Sequence, residues 1–185
     1  MMAPTHLLTG LALATVVATV DPTYATPAAL GGVLGGIAPD LDMFVGDHRR
    51  TLHAPALGFG PAAVAVAVAA VAPSTLTVGA AVATLAAAVH AASDVLGAGE
   101  ELRPWERTNP NAVYCHAAGR WLRARYVVPY DGAPRDILLA AGLAVPVVFV
   151  YDGPVRWLAV GLVAVGAVYA ALRKRLPKYF APLVE

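Results

Sequence analysis

Charge is scarce in this chain. Asp, Glu, Lys and Arg make up 14% of its 185 residues and 58% are hydrophobic, against roughly 25% charged in soluble domains. Water is therefore excluded as the main solvent. The few charges nearly cancel, at a formal +1, so no excess of Lys or Arg is present to hold a phosphate backbone, and a nucleic-acid partner is excluded. One cysteine, Cys115, rules out an intramolecular disulfide. Serine is nearly missing: Ser74 and Ser93 are the only two, and neither stands in a Gly-x-Ser-x-Gly elbow. Cys115 and His116 are adjacent in the chain, too close to suggest a nucleophile–base pair. No Lys or Arg precedes the first apolar stretch, where a signal peptide would carry its basic region, so that stretch is expected to be a retained helix.

What is abundant is apolar sequence. Runs at 7–20, 28–38, 57–72, 75–96, 137–151 and 155–172 predict an all-α, polytopic helical membrane protein with about four to six membrane segments. Residues 1–185 then form one membrane-embedded domain, with 97–136 as a cytoplasmic or interfacial loop. The fourth and sixth runs approach the ~20 residues needed to cross a hydrocarbon core, while the second is short enough to be re-entrant. Short connections at Asp21-Pro22, Pro73-Ser74 and Asp152-Gly153-Pro154 predict antiparallel neighbours. The second run reads Gly31-Gly32-Val33-Leu34-Gly35-Gly36, the small-x-x-x-small spacing twice in register, which suits close backbone approach.

If all six runs cross, twelve of the thirteen basic residues fall on one side, leaving Arg156 opposite. Short loops rich in Lys and Arg stay in the cytoplasm. Both termini, and Cys115 with its Arg-rich loop, are thus expected on the cytoplasmic face of the inner membrane. Within that loop, Val113 to Val128 reads either as an amphipathic helix in the interface or as a solvated basic loop.

Ionisable residues beside apolar runs are costly and call for partners. Here they recur at one end of their segments: His6 opens the first, Asp40 and Asp42 end the second, His48 and His53 precede the third, and His90 and Asp94 end the fourth. His90 and Asp94 are four apart, hence on one helical face. Singly, each has a plainer reading: an interfacial histidine, a turn cap, a hydrogen-bonded pair. Together, four imidazoles and three carboxylates suit a divalent transition metal, with zinc first and manganese or iron as alternatives, better than calcium. The number of ligands leaves room for a two-metal site that activates water. Asp42 and Arg49 are the candidates for catalytic roles, Arg49 because a guanidinium between the ligands suits phosphate, although an Arg beside a membrane more often faces anionic lipid.

Pro4-Thr5-His6, the run from Gly35 through Pro39-Asp40-Leu41-Asp42, the stretch His48-Arg49-Arg50-Thr51-Leu52-His53, and His90-x-x-x-Asp94 followed by Pro104-Trp105 together resemble the YdjM-like family of membrane-bound metal-dependent hydrolases. The His-rich set is more distantly similar to the zinc-dependent phospholipases C. The resemblance implies hydrolysis, of a phosphoester such as a phospholipid, by metal-activated water at the cytoplasmic membrane face. The alternative is a non-enzymatic membrane protein whose metal site is structural or sensory.

Overall fold

The computed structural model describes residues 1–179. Each of the six apolar runs is a helix: α1 Ala3–Val20, α2 Ala25–Ile37, α3 Phe59–Val71, α4 Thr75–Ser93, α5 Pro134–Val150 and α6 Gly153–Leu172. Proline stands in the first turn of α1, α5 and α6, where its missing N–H has no helical partner to lose. Ser74 and Thr77 close a reciprocal capping box at the start of α4, satisfying donors that have no partner within the helix. Short 3-10 turns at Ala38–Met43 and Asp94–Leu96 extend the ends of α2 and α4.

The glycines of α2 organise the bundle. A Cβ on Gly32 would lie 2.4 Å from the Gly10 carbonyl oxygen of α1, and one on Gly35 would lie 2.0 Å from the Ala83 oxygen of α4. Gly31 faces Gly79 in the same way, at 2.2 Å. Successive glycines four apart thus form two stripes, Gly32 and Gly36 toward α1 and Gly31 and Gly35 toward α4. Both neighbours come to backbone contact with this one short helix. The two-register motif in the sequence serves two partners, not one.

Among the described residues, three helices are long and apolar enough to cross a membrane: Ala3–Val20, the stretch Thr75–Leu96 and Gly153–Leu172. The other apolar helices are shorter; α2 and α3 have 13 residues each, a rise of about 20 Å against a core of about 30 Å. Large apolar side chains cover the outside of the bundle, with Val71 84%, Phe149 83% and Trp157 70% exposed. Water does not tolerate patches of that extent on a monomer, and lipid does.

The long loop corrects the expectation for 113–128. Asn111–Cys115 (β1) and Arg120–Arg123 (β2) pair antiparallel, so the protein is mostly helical with a small two-stranded sheet and is not all-α. Two short runs rich in aromatic and β-branched residues flank His116 to Gly119, and Gly119 takes a left-handed φ of +61°, the αL glycine that hairpin loops favour. Cys115 is buried in β1.

The fold is pinned at both ends by buried polar groups. At one end, Asp136 in the first turn of α5 accepts from Met2 N (2.9 Å), Thr5 Oγ1 (2.7 Å) and Gly132 N (3.0 Å), which fixes the start of α1. At the other, the Tyr151 hydroxyl donates toward the carbonyls of Ala14 (3.2 Å) and Ala25 (3.1 Å), tying the α5–α6 turn to α1 and α2.

Candidate metal centre

Because α2 lets α1 and α4 come close, His6 at the start of α1 and His90 at the end of α4 meet past its glycine end. Their rings stack at 3.6 Å between centroids, 8° from parallel. His90 Nδ1 bonds the Gly36 carbonyl oxygen at 2.7 Å. A carbonyl only accepts, so the proton is on Nδ1 and the Nε2 lone pair of the neutral ring points away from it. That Nε2 lies 3.3 Å from Asp40 Oδ1 and 3.7 Å from Asp94 Oδ2.

His53 repeats the arrangement from the loop. Its Nδ1 lies 2.8 Å from Asp42 Oδ2, and an ionised carboxylate only accepts, so His53 donates there. Its Nε2 is then turned toward Asp94 Oδ2 at 3.2 Å and Asp40 Oδ1 at 3.8 Å. His6 Nε2 lies 3.2 Å from the other Asp94 oxygen. The three Nε2 atoms thus face the Asp40 and Asp94 oxygens around a common point. His53 Nε2, His90 Nε2 and His6 Nδ1 are buried without any hydrogen-bond partner. Buried polar atoms are rarely left so, and two of these nitrogens, His53 Nε2 and His90 Nε2, converge on the Asp40 and Asp94 carboxylates, an arrangement that suits a bound cation.

All seven sequence candidates come together. Among the described residues, three overlapping sets bring ligand atoms within 4.8 Å of one another, close enough that each could hold an ion: His6, His90 and Asp94; Asp40, His53 and His90; Asp42, His48 and His53. Their environments differ. Asp42 is fully buried; one oxygen faces His48 Nδ1 at 2.8 Å, and the other takes His53 and, at 3.3 Å, the Leu52 backbone N–H. Burial alone would raise the Asp42 carboxyl, but the bonds from His48 and His53, with the charge on His53, outweigh it and hold it below its ordinary value. Asp40 is held down likewise, burial being outweighed by His90 and His6. Burial lowers the His53 imidazole, but the Asp94 and Asp42 carboxylates outweigh it and leave it raised, so the metal-free centre favours a proton where a metal would bind.

Arg49 has a left-handed φ of +57°. Its Nη1 donates to the carbonyls of Ala98 (2.7 Å) and Ala112 (3.3 Å), and its own carbonyl accepts from Tyr114 N at 2.9 Å. It therefore fastens the loop bearing His48 and His53 to the hairpin. Arg49 also lines a cleft of about 370 Å³ that reaches Asp40, His48 and Asp94. The far wall of that cleft includes Tyr169, Asp131 and Arg173. Arg173 donates to both Asp131 oxygens, at 2.7 and 3.1 Å, and Tyr169 donates to the same carboxylate.

Sequence reasoning missed that wall and Asp136. Asp136 has a visible sign, an acid in the first turn after a helix-starting proline, but helix capping explains such a residue equally well. Comparisons with family models, with curated proteins and with solved structures return no match for the chain.

Proposed function

We propose that this protein is a metal-dependent hydrolase of the inner membrane, acting on a phosphoester at the cytoplasmic face. The observation that carries the reading is the set of orphaned imidazole nitrogens facing Asp40 and Asp94 beside a cleft. The resemblance in the sequence, with its PDxD turn and HxxxD helix end, points the same way. Nitrogen and carboxylate donors suit zinc, with manganese and iron next. When bound, such an ion supplies an activated water and a Lewis acid for a phosphoryl oxygen.

The chain's own residues divide the remaining work. Asp40, His53, His90, Asp94 and His6 present the ligand atoms. Asp42 accepts a hydrogen bond from His53 Nδ1–H and so fixes that ring's tautomer and angle, the role of a carboxylate behind a metal-bound histidine. His48, on the other Asp42 oxygen and on the cleft wall, is placed to bind a second ion or to meet substrate. Arg49 positions the loop and brings positive charge to the cleft. No serine or cysteine nucleophile is needed.

The test is a panel of phospholipids, lipid phosphates and generic phosphodiesters offered to metal-loaded protein in lipid, with the Asp42→Asn variant alongside. Wild-type turnover abolished by chelation and restored by metal is expected, and Asp42→Asn should lose roughly 10–100-fold in activity or metal affinity. Equal activity in the two proteins would expose a contaminant. Silence of fully loaded protein across the panel would favour the structural or sensory alternative.

The orientation has its own test. Because Cys115 is buried, its thiol reacts slowly from either side and reports topology poorly. Ala117, exposed at the hairpin tip, is the better position. In a Cys115→Ala background, Ala117→Cys should react with a membrane-impermeant thiol reagent only after the cells are permeabilised. Ready labelling of intact cells would place the centre outside.

A further inference from the structure

The ring orientations in the candidate centre decide how many ions it can hold. The His6 and His90 rings lie face to face, with centroids 3.6 Å apart and planes 8° from parallel, and both turn Nε2 toward Asp94. A ring nitrogen's lone pair lies in the plane of its ring. An ion on the His90 lone pair therefore stands about 3.5 Å out of the His6 plane, beyond the reach of a metal–nitrogen bond of about 2.0–2.1 Å. The midpoint between the rings lies off both lone pairs. His6 and His90 thus cannot share one ion, close as their donor atoms are.

His53 and His90 are related differently. Their planes are 77° apart, with centroids at 5.2 Å, so the planes cross and two lone pairs can meet at one point. Two donors on one tetrahedral ion stand roughly 3.3–3.6 Å apart when each bond is about 2.0–2.2 Å. The separations here straddle that range: His53 Nε2 is 3.2 Å from Asp94 Oδ2 and 3.8 Å from Asp40 Oδ1, and His90 Nε2 is 3.3 Å from Asp40 Oδ1 and 3.7 Å from Asp94 Oδ2. These donors make one site. His6 Nε2 stands 3.2 Å from the other Asp94 oxygen, the spacing of a second site beside the first. That oxygen also accepts from the Met1 ammonium at 3.2 Å, so positive charge already rests against it in the metal-free protein.

The donor set around Asp42 drops out. His48 Nδ1 and His53 Nδ1 both stand 2.8 Å from its oxygens, too close for two ligands of one tetrahedral ion and ordinary for an N–H···O bond. The Leu52 backbone N–H, which no cation replaces, points at the same carboxylate. Asp42 gathers protons. We infer that Asp94 bridges two metal ions, one held by Asp40, His53, His90 and Asp94 Oδ2, the other by His6 and Asp94 Oδ1. The inference rests on the proposed reading of the centre and assigns its number of ions. Lone pairs running side by side from rings 3.6 Å apart suit ions about 3.5–4 Å apart, the separation at which a pair clamps the attacking and leaving oxygens of one phosphoryl group. With two protein donors against four, the ion at His6 is the weaker one. Its other ligands come from water or substrate in the cleft that Asp40 and Asp94 line. His48, which belongs to neither ion, is left to meet the substrate.

The experiment is electron paramagnetic resonance on the full protein in lipid, stripped of metal and titrated with manganese(II), with bound metal counted at each step. The first equivalent should give the signal of an isolated ion, and the second should replace it with that of an exchange-coupled pair. His6→Ala should weaken the second binding by about 100-fold or more, because loss of a direct ligand exceeds the 10–100-fold cost typical of changes behind one. The first ion should stay bound and its signal isolated. His6→Gln, closer to histidine in volume, gives the same reading where the alanine cavity loosens the start of α1. His48→Ala should keep the coupled pair. Saturation of wild type at one ion, two ions without coupling, or a coupled pair that survives both His6 variants overturns the bridge. A coupled pair in a protein that hydrolyses no phosphoester would keep the bridge and sink the hydrolase reading; hydrolysis by a protein saturated at one ion would do the reverse.

Discussion

Asp94→Asn is expected to empty the centre of metal while leaving the helices folded. Asp94 is the hub: one oxygen faces His6 and the Met1 ammonium, and the other faces both His53 and His90. Replacing it with the amide keeps the shape, removes the charge and puts an N–H where a lone pair was. In the metal-free protein the carboxylate also supports the proton on His53 and accepts from the Met1 ammonium at 3.2 Å, so the metal-free variant should be somewhat less stable than the metal-free wild type as well as losing the ligand. The two proteins separate further when metal is added. Wild type should gain thermal stability, about 2.7 kcal/mol at a free metal concentration 100 times Kd, and the variant should gain little. Elemental analysis after chelator-free purification should find at least about 100-fold weaker retention in the variant, since even an outer-shell change costs about 10–100-fold. Asp47→Asn, at an exposed acid paired with Arg50, should change nothing. Full metal content in Asp94→Asn would remove the basis for the whole cluster.

Gly35→Ala should damage the same centre from a position that touches none of its ligands. The added methyl would stand 2.0 Å from the Ala83 carbonyl oxygen and 2.8 Å from the Ala86 methyl. The first obstacle is helix backbone, which cannot rotate aside, so α2 and α4 must separate. Overpacking of this kind costs about 1–3 kcal/mol and occasionally more, and a rigid obstacle puts Gly35 at the upper end, a fall in Tm of roughly 10 °C. The displacement also moves the Gly36 carbonyl away from His90 Nδ1, so metal retention should fall together with Tm. Gly142→Ala in α5 is the control: its methyl meets nothing within 4 Å, and an unstrained Gly-to-Ala change stabilises by about 0.4–1 kcal/mol. If Gly35→Ala and Gly142→Ala melt alike, α2 is not the close-packed centre of the bundle.

The helices and the ligand cluster were legible in sequence for the same reason: apolar runs and the ionisable residues at their ends stand out against an Ala- and Val-rich background. His90 and Asp94 could be joined by helical spacing alone. The roles within the cluster could not be read, because spacing does not say which nitrogen of His53 faces Asp42 and which faces Asp94. The hairpin was misread for a physical reason. Trp121, Leu122 and Tyr126 among several arginines fit an amphipathic helix as well as a strand, and a hairpin this short is marginal by itself. It is held by tertiary bonds to Arg49 that lie far off in the chain. Asp136 and the Asp131–Tyr169–Arg173 wall were invisible for a similar reason, since their partners are about 40 or more residues away.

All seven candidate ligands lie within the first 94 of the 185 residues, and this orders the making of the protein. A growing chain carries its complete donor set once α4 has been made, before the hairpin, α5 and α6 exist. The later half then works as a closure: Asp136 arrests the start of α1, and with it His6, while the hairpin arrests the loop of His48 and His53 through Arg49. Metal captured early would be held by a half-made bundle whose ligands can still rearrange. Metal captured late would have to enter a centre already fastened at its edges, so for a chain that binds metal the order of the ligands would make the timing of capture matter.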